Sequence, residues 1–136
     1  MTAFRLVVPV GLDHCLDVLE AHAGEAAVLA GGTDLSVLVR SGLKAPGLFV
    51  WVGKLQDLRR CGREAPCISF GPGLTHREIA SHPDLGAVGA LRKAASSVGS
   101  PQVRNVGTAG GNLANASPAA DLYPPLLVLE AALEVG

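Results

Sequence analysis

The spacing of apolar positions changes period several times along the chain, and each change predicts a switch between strand and helix. Arg5–Val8 is a short β-branched run ended by Pro9, which predicts a strand. Leu12, Leu16, Leu19 and Ala23 then recur on one helical face, so Leu12–Ala23 predicts a helix. Ala26–Ala30 is a continuous apolar run stopped by Gly31-Gly32, the pattern of a buried strand. Asp34–Arg40 resumes helical spacing through Leu35, Leu38 and Val39 and is closed by Gly42. Leu48–Val52 predicts another strand, as does Cys67–Phe70 between Pro66 and Gly71. Thr75–Ser81 and Ala87–Val98 read as helices broken apart at His82-Pro83. Leu126–Leu129 suits either a helix or a strand, and Ala132–Val135 favours a strand. The pattern as a whole is mixed α/β, with a β–α–β unit over Met1–Val52. The charged stretch Gly53–Pro66, interrupted by Gly62 and Pro66, divides a first lobe, residues 1–53, from a second, residues 54–136.

Composition narrows the classes of function. The 136 residues suit one domain, and 49% hydrophobic against 17% charged residues is apolar enough to fold. Eleven basic and twelve acidic residues leave a net charge of −1, with no basic run, which argues against a nucleic-acid surface. No apolar stretch approaches the ~20 residues that span a bilayer. Leu6–Leu12 is interrupted by Pro9 and Gly11 with no cleavage site after it, so a secretory signal is not expected. Three cysteines, Cys15, Cys61 and Cys67, cannot all pair within one chain, and they form no CxxC or four-thiolate set. They show no metal-ligand spacing with His14, His22, His76 or His82, so no metal is expected on this chain. The chain reads as cytoplasmic.

Two glycine-rich segments carry the candidate chemistry. The first, Leu29-Ala30-Gly31-Gly32-Thr33-Asp34-Leu35, joins an expected strand to an expected helix. Free backbone N–H groups at such a junction attract phosphate, and Thr33 adds a hydroxyl. The same residues also suit a tight turn in which Thr33 or Asp34 merely caps the helix. The segment lacks both the GxGxxG of dinucleotide folds and the Gly-Lys-Ser/Thr of P-loops. The second segment, Pro101 to Asp121, reads PQVRNVGTAGGNLANASPAAD. Gly110 and Gly111 allow a ligand close to the main chain, and Thr108 and Asn112 offer hydrogen bonds. Asp121, being anionic, suits hydroxyls rather than phosphates. Its alternative is a cap before Leu122. Asn115 and Ser117 also fit turn chemistry around Pro118.

The pair LAGGTDL and GTAGGNLANASPAADL resembles the flavin-binding subunit of the molybdenum hydroxylases, the group of the xanthine dehydrogenases and aerobic carbon monoxide dehydrogenases. Gly73-Leu74-Thr75-His76 and Pro101-Gln102-Val103-Arg104-Asn105 resemble it too, so the likeness runs from about Phe4 to the end. It implies an α+β, two-lobed FAD-binding fold with flavin between the lobes. The family's subunits are about twice this long, so it also implies that the C-terminal part of the fold is missing. By this resemblance, FAD is held non-covalently by residues Leu29, Ala30, Gly31, Gly32, Thr33, Asp34 and Leu35 of the first loop. Thr108, Gly110, Gly111, Asn112, Asn115 and Asp121 lie at or beside cofactor contacts of the second. Neither loop offers a histidine or cysteine for covalent attachment.

The resemblance further implies an oxidoreductase flavoprotein in a heteromeric complex. A molybdopterin-binding large subunit would oxidise the substrate, and a [2Fe–2S] small subunit would relay electrons to FAD. NAD+ or another acceptor would receive them. The flavin carries the redox chemistry, so no side chain is expected as a catalytic acid or base. Two other readings stay open: a non-catalytic or truncated assembly subunit that keeps the fold without a competent flavin site, and an unrelated phosphate-ligand domain with Gly-Gly loops. Of the remaining residues, His76 reads as a helix-start residue near the cofactor, Arg104 as either a phosphate partner or a solvated side chain, and Trp51 and Phe70 as core.

Overall fold

The computed structural model describes residues 4–135; Met1–Ala3 and Gly136 lie outside the described residues. Three short apolar runs become the strands of a parallel sheet: β1 (Arg5–Val7), β2 (Ala26–Leu29) and β3 (Leu48–Trp51). Their order is β1–β3–β2, in a register that sets Leu48 beside both Arg5 and Ala26. The central place goes to the most buried of the three strands: Leu48, Phe49 and Val50 are all buried. A central parallel strand is covered on both faces and therefore reads as continuous rather than alternating hydrophobicity.

Helices α1 (Leu12–Ala21) and α2 (Leu35–Arg40) make the crossovers. From α1, Cys15 joins Leu48, Val50 and Leu55 in a buried cluster, with Val18, Leu19 and Leu58 packed against it. Helix α1 stops two residues short of the expected Ala23, just before Gly24 turns the chain with a positive φ of 83°.

Beyond a 3-10 turn at Gln56–Arg59, β4 (Cys61–Glu64) and β5 (Cys67–Phe70) form an antiparallel hairpin. The pattern foresaw β5 but not β4, whose CGRE sequence has no alternation. Helix α3 (His76–Ser81) begins with a capping box in which the Thr75 hydroxyl accepts the Glu78 N–H and the Glu78 carboxylate accepts the Thr75 N–H. A 3-10 turn at Pro83–Leu85 realises the expected break, and α4 (Gly89–Ser97) packs back on α3.

Three further helices follow: α5 (Pro101–Val106), α6 (Ala109–Ala114) and α7 (Tyr123–Val128). Leu74, Ile79, Leu85, Leu91, Ala95, Ala109 and Leu122 form the second buried cluster. Leu126–Leu129 thus resolves mainly as helix. The strand expected at Ala132–Val135 does not form: residues 131–135 are irregular and pair with no strand among the described residues.

Candidate cofactor-binding site

The first loop is held from both ends. At the end of β2 the Trp51 indole N–H donates to the Ala30 carbonyl at 3.2 Å, fixing where the strand stops. Gly31 then presses against the end of α5, where a Cβ on it would lie 1.9 Å from the Val106 carbonyl oxygen. Gly32 follows at φ +71°, a left-handed conformation that favours glycine. Across this bend, none of the N–H groups of Gly31, Gly32, Thr33, Asp34 and Leu35 finds a hydrogen-bond partner among the described residues. Asp34 occupies the N-cap position of α2 but makes no side-chain cap. The capping alternative is therefore not realised, and five consecutive amides face outward from one bend.

The second loop is built differently. Segments 72–76 and 107–110 run antiparallel. Gly110 N–H donates to the Pro72 carbonyl at 2.8 Å, Ala109 N–H to Leu74 at 2.9 Å, and His76 N–H to Gly107 at 3.0 Å. The Thr108 hydroxyl oxygen accepts the Gly111 N–H at 3.1 Å and caps α6. Main-chain donors at this turn are thus largely used, and its free polar groups are side chains. The Asn112 Oδ1 is buried with no partner among the described residues. Asp121 makes no cap on α7, whose N-cap position is Leu122. The Tyr123 hydroxyl donates to the Leu113 carbonyl at 2.7 Å and pins the end of α6.

Between the two loops lies a cleft of about 800 Å³, within the ~300–1,000 Å³ range of small-molecule sites. The structure brings twelve of the thirteen expected residues to it: Ala30, Gly31, Gly32, Thr33, Asp34 and Leu35 from one side, Thr108, Gly110, Gly111, Asn112, Asn115 and Asp121 from the other. Leu29 is the exception; its Cδ1 lies 3.1 Å from where a Cβ on Gly32 would sit, so it supports the bend from behind. Ser117 also lines the cleft, but its hydroxyl accepts the Ala119 N–H in a turn. Arg104 donates to the Val98 and Gly99 carbonyls at 2.9 and 2.8 Å, so it shapes the wall from outside.

Three side chains do more here than the sequence reading assigned them: His76 was expected only as a helix-start residue near the cofactor, Trp51 only as core, and Lys44 was not singled out. His76 reaches the cleft with only 3% exposure, and its Nδ1 is buried without a partner among the described residues. Burial pushes its pKa below the ordinary value, and the nearby Asp121 and Asp34 carboxylates only partly offset this, so the ring is neutral at pH 7. Lys44 adds a cationic side chain to the lining. Trp51, expected as simple core, instead positions the first loop through its indole N–H. The GLTH run and the strand ending at Trp51 were visible, but their convergence depends on tertiary pairing.

The donor set fits an anionic, polyhydroxylated ligand with flat apolar rings. Unpartnered amides suit phosphate oxygens, and two orphaned buried polar atoms call for partners, because leaving such groups unpaired costs roughly 1–3 kcal/mol each. Leu12, Leu16 and Val28 stand exposed on the apolar wall, which a ring system would cover. Cys15 and His76 also line the cleft. The fold therefore supplies the cysteine and histidine that the loops themselves lack, although burial pushes the Cys15 thiol up and disfavours the nucleophilic thiolate. Among the described residues no helix is long and apolar enough to cross a membrane.

Comparison with known proteins shows the family to which this fold belongs. The chain is 36% identical over 133 residues to the nicotinate dehydrogenase FAD-subunit of Eubacterium barkeri, a match covering 96% of this chain and 45% of that protein. It superposes on quinoline 2-oxidoreductase from Pseudomonas putida 86 with a TM-score of 0.84 at 31% identity. Carbon monoxide dehydrogenase from Hydrogenophaga pseudoflava gives 0.84 at 27%. Both structural matches cover 88% of this chain and 42% of the other. The chain thus spans less than half the length of the relatives it matches. Residues 2–136 match the family described as FAD binding domain in molybdopterin dehydrogenase, and the chain belongs to that family.

Proposed function

We propose that this chain holds FAD non-covalently in the cleft between its two Gly-Gly loops and serves as the electron-transfer subunit of a molybdenum hydroxylase complex. In that role it stands between a [2Fe–2S] small subunit and NAD+ or another acceptor, while a molybdopterin-binding large subunit oxidises the substrate. The complex works in the cytoplasm, and residues 1–53 and 54–136 act as the two lobes that flank the cofactor. The observation that carries the reading is the run of five unpartnered amides, Gly31 to Leu35, facing a cleft that also contains the orphaned Asn112 Oδ1 and His76 Nδ1.

FAD, when bound, would supply the redox centre, exchanging electrons one or two at a time. The protein's own residues bind and orient. The amides of Gly31–Leu35 and the Lys44 ammonium suit the pyrophosphate. Asn112, Asp121 and the Thr108 hydroxyl proton suit hydroxyls of the ligand. Neutral His76 offers one hydrogen bond from a buried position on the cleft wall.

Titrating the purified chain with FAD, followed by flavin fluorescence, tests the reading. Saturable binding is expected, with acid precipitation releasing all the flavin. Asp121→Ala, a change at an exposed position, should weaken binding about tenfold, the loss of one charge-assisted hydrogen bond of ~1.4 kcal/mol. A folded chain that binds ADP but not FAD would instead support a general phosphate-ligand domain. Electron transfer is tested by mixing the FAD-loaded chain with a reduced [2Fe–2S] partner subunit; failure of the flavin absorbance to bleach would leave an assembly role.

A further inference from the structure

Away from the cleft, a thiol, an imidazole and a carboxylate converge. One ligand atom each from Cys61, His82 and Asp84 lies within 4.8 Å of the other two. Cys61 opens β4, and His82 and Asp84 flank Pro83 where the 3-10 turn after α3 begins. We propose that these three residues bind a divalent cation of the Zn2+ class, which cross-links the β4–β5 hairpin to that turn.

The donor chemistry selects the metal. A sulfur, a nitrogen and one carboxylate oxygen suit borderline-soft Zn2+ or Co2+, whereas Mg2+ and Ca2+ require oxygen cages. The geometry lies close to what such an ion needs. Metal–ligand bonds of about 2.0–2.3 Å in a tetrahedral site put ligand atoms roughly 3.5 Å apart. The His82 Nδ1 and Asp84 Oδ2 are already 3.9 Å apart. In the metal-free chain Nδ1 accepts the Asp84 N–H at a long 3.3 Å, so a metal at that nitrogen displaces only a weak contact. Asp84 has no Lys or Arg partner among the described residues, and its side chain is half exposed, leaving a path for the ion and a fourth position for water.

Both ligand-bearing segments are anchored. Leu85, next to Asp84, is fully buried, and Cys61 packs against the same cluster. Pro83 restricts the backbone between the other two ligands. An isolated two-stranded hairpin is marginal in water, and a metal here would tie its first residue to the helical core. The spacing of cysteines and histidines along the chain conceals this site, because Cys61 and His82 meet only through the packing of β4 on the turn.

The test titrates metal-stripped full chain with Co2+ and then Zn2+. One equivalent of Co2+ should bind with a thiolate-to-cobalt charge-transfer band, Zn2+ should displace it, and saturating Zn2+ should raise Tm. Cys61→Ser should abolish the band, and His82→Asn should weaken Co2+ binding by more than the ~10–100-fold typical of losing an outer-shell partner. Asn at position 82 keeps an acceptor for the Asp84 N–H, so metal-free H82N should melt like the wild type. Cys67→Ser should leave the band unchanged. Absence of a thiolate band in the wild-type chain, its survival in C61S, undiminished affinity in H82N, or its loss in C67S would each overturn the proposal.

Discussion

The two Gly-Gly pairs of this chain look alike in sequence and do different work. At Gly31-Gly32 the backbone passes against the Val106 carbonyl and then turns through a left-handed residue, leaving five amides without partners. At Gly110-Gly111 the backbone sits in a capped helical turn whose amides go to Pro72 and Thr108, leaving side chains as the free polar groups. The first loop presents bare main-chain amides; the second presents side chains on a largely satisfied backbone. A dipeptide therefore does not specify a role. What its N–H groups are already bonded to does.

The largest expected effect comes from Gly31→Ala. The added Cβ would fall 1.9 Å from the Val106 oxygen, against backbone that cannot rotate away. A cost of about 3 kcal/mol or more is expected in urea unfolding, a large part of a typical 5–15 kcal/mol total, together with loss of FAD binding. Wild-type stability in this variant would break the picture of a loop clamped between β2 and α5.

Next is Gly110→Ala, where Cβ would lie 2.6 Å from the Pro72 Cβ and 3.0 Å from its carbonyl oxygen. About 2 kcal/mol of destabilisation should follow. Its neighbour gives the contrast. At Gly111 a Cβ meets only the Thr108 hydroxyl, at 3.1 Å. A helix-propensity gain near 1 kcal/mol opposes pressure on the cap, so Gly111→Ala should stay within about 1 kcal/mol of wild type. Equal losses at positions 110 and 111 would show that the second loop is clamped like the first.

Asn112→Leu separates binding from folding. It removes a buried oxygen that lacks a partner, so the ligand-free chain should gain about 1 kcal/mol by urea unfolding while its FAD affinity falls roughly tenfold. If stability also drops, the orphaned oxygen was not a stored cost awaiting a ligand.

The elements of the first sheet were legible because β1, β2 and β3 are continuous apolar runs bounded by glycine and proline, and α1 shows one clean face. Strand β4 was not, since its residues Gly62, Arg63 and Glu64 pair through the backbone with β5 while their side chains give no alternation. Helices α5 and α6 were hidden by their glycines and polar residues; they form because Ser100 and Thr108 cap them and because 107–110 zips onto 72–76. Of the cleft, the loop residues could be read from composition and resemblance. His76 could be placed at a helix start near the cofactor but not as a buried ring, and Lys44 and the Cys61–His82–Asp84 cluster could not be read at all, because each owes its neighbours to tertiary packing rather than to spacing.

The smallest effect, read as a slope rather than a step, tests how each loop's charge reaches the histidine between them. Burial lowers the folded-state pKa of His76 below the unfolded value of about 6.5. Below that pH the unfolded chain takes up a proton that the folded chain resists. The stability contributed by neutral His76 is therefore complete above about pH 6.5 and is lost as pH falls toward the folded pKa. Glu78 acts in a lower range. Burial alone would raise its pKa, but hydrogen bonds from Thr75 and the Arg59 charge outweigh it and hold the carboxyl below 4.5, so its contribution fades only below that value. Urea unfolding from about pH 7.5 to 5.5 should show a decline in the wild-type chain that His76→Leu lacks. Removing a carboxylate that supports the imidazolium lowers the folded pKa further, so Asp121→Asn and Asp34→Asn should both steepen the decline. Asp121 exerts the larger pull of the two, so its variant should be the steeper. The reverse order would place the imidazole under the field of the first loop rather than the second.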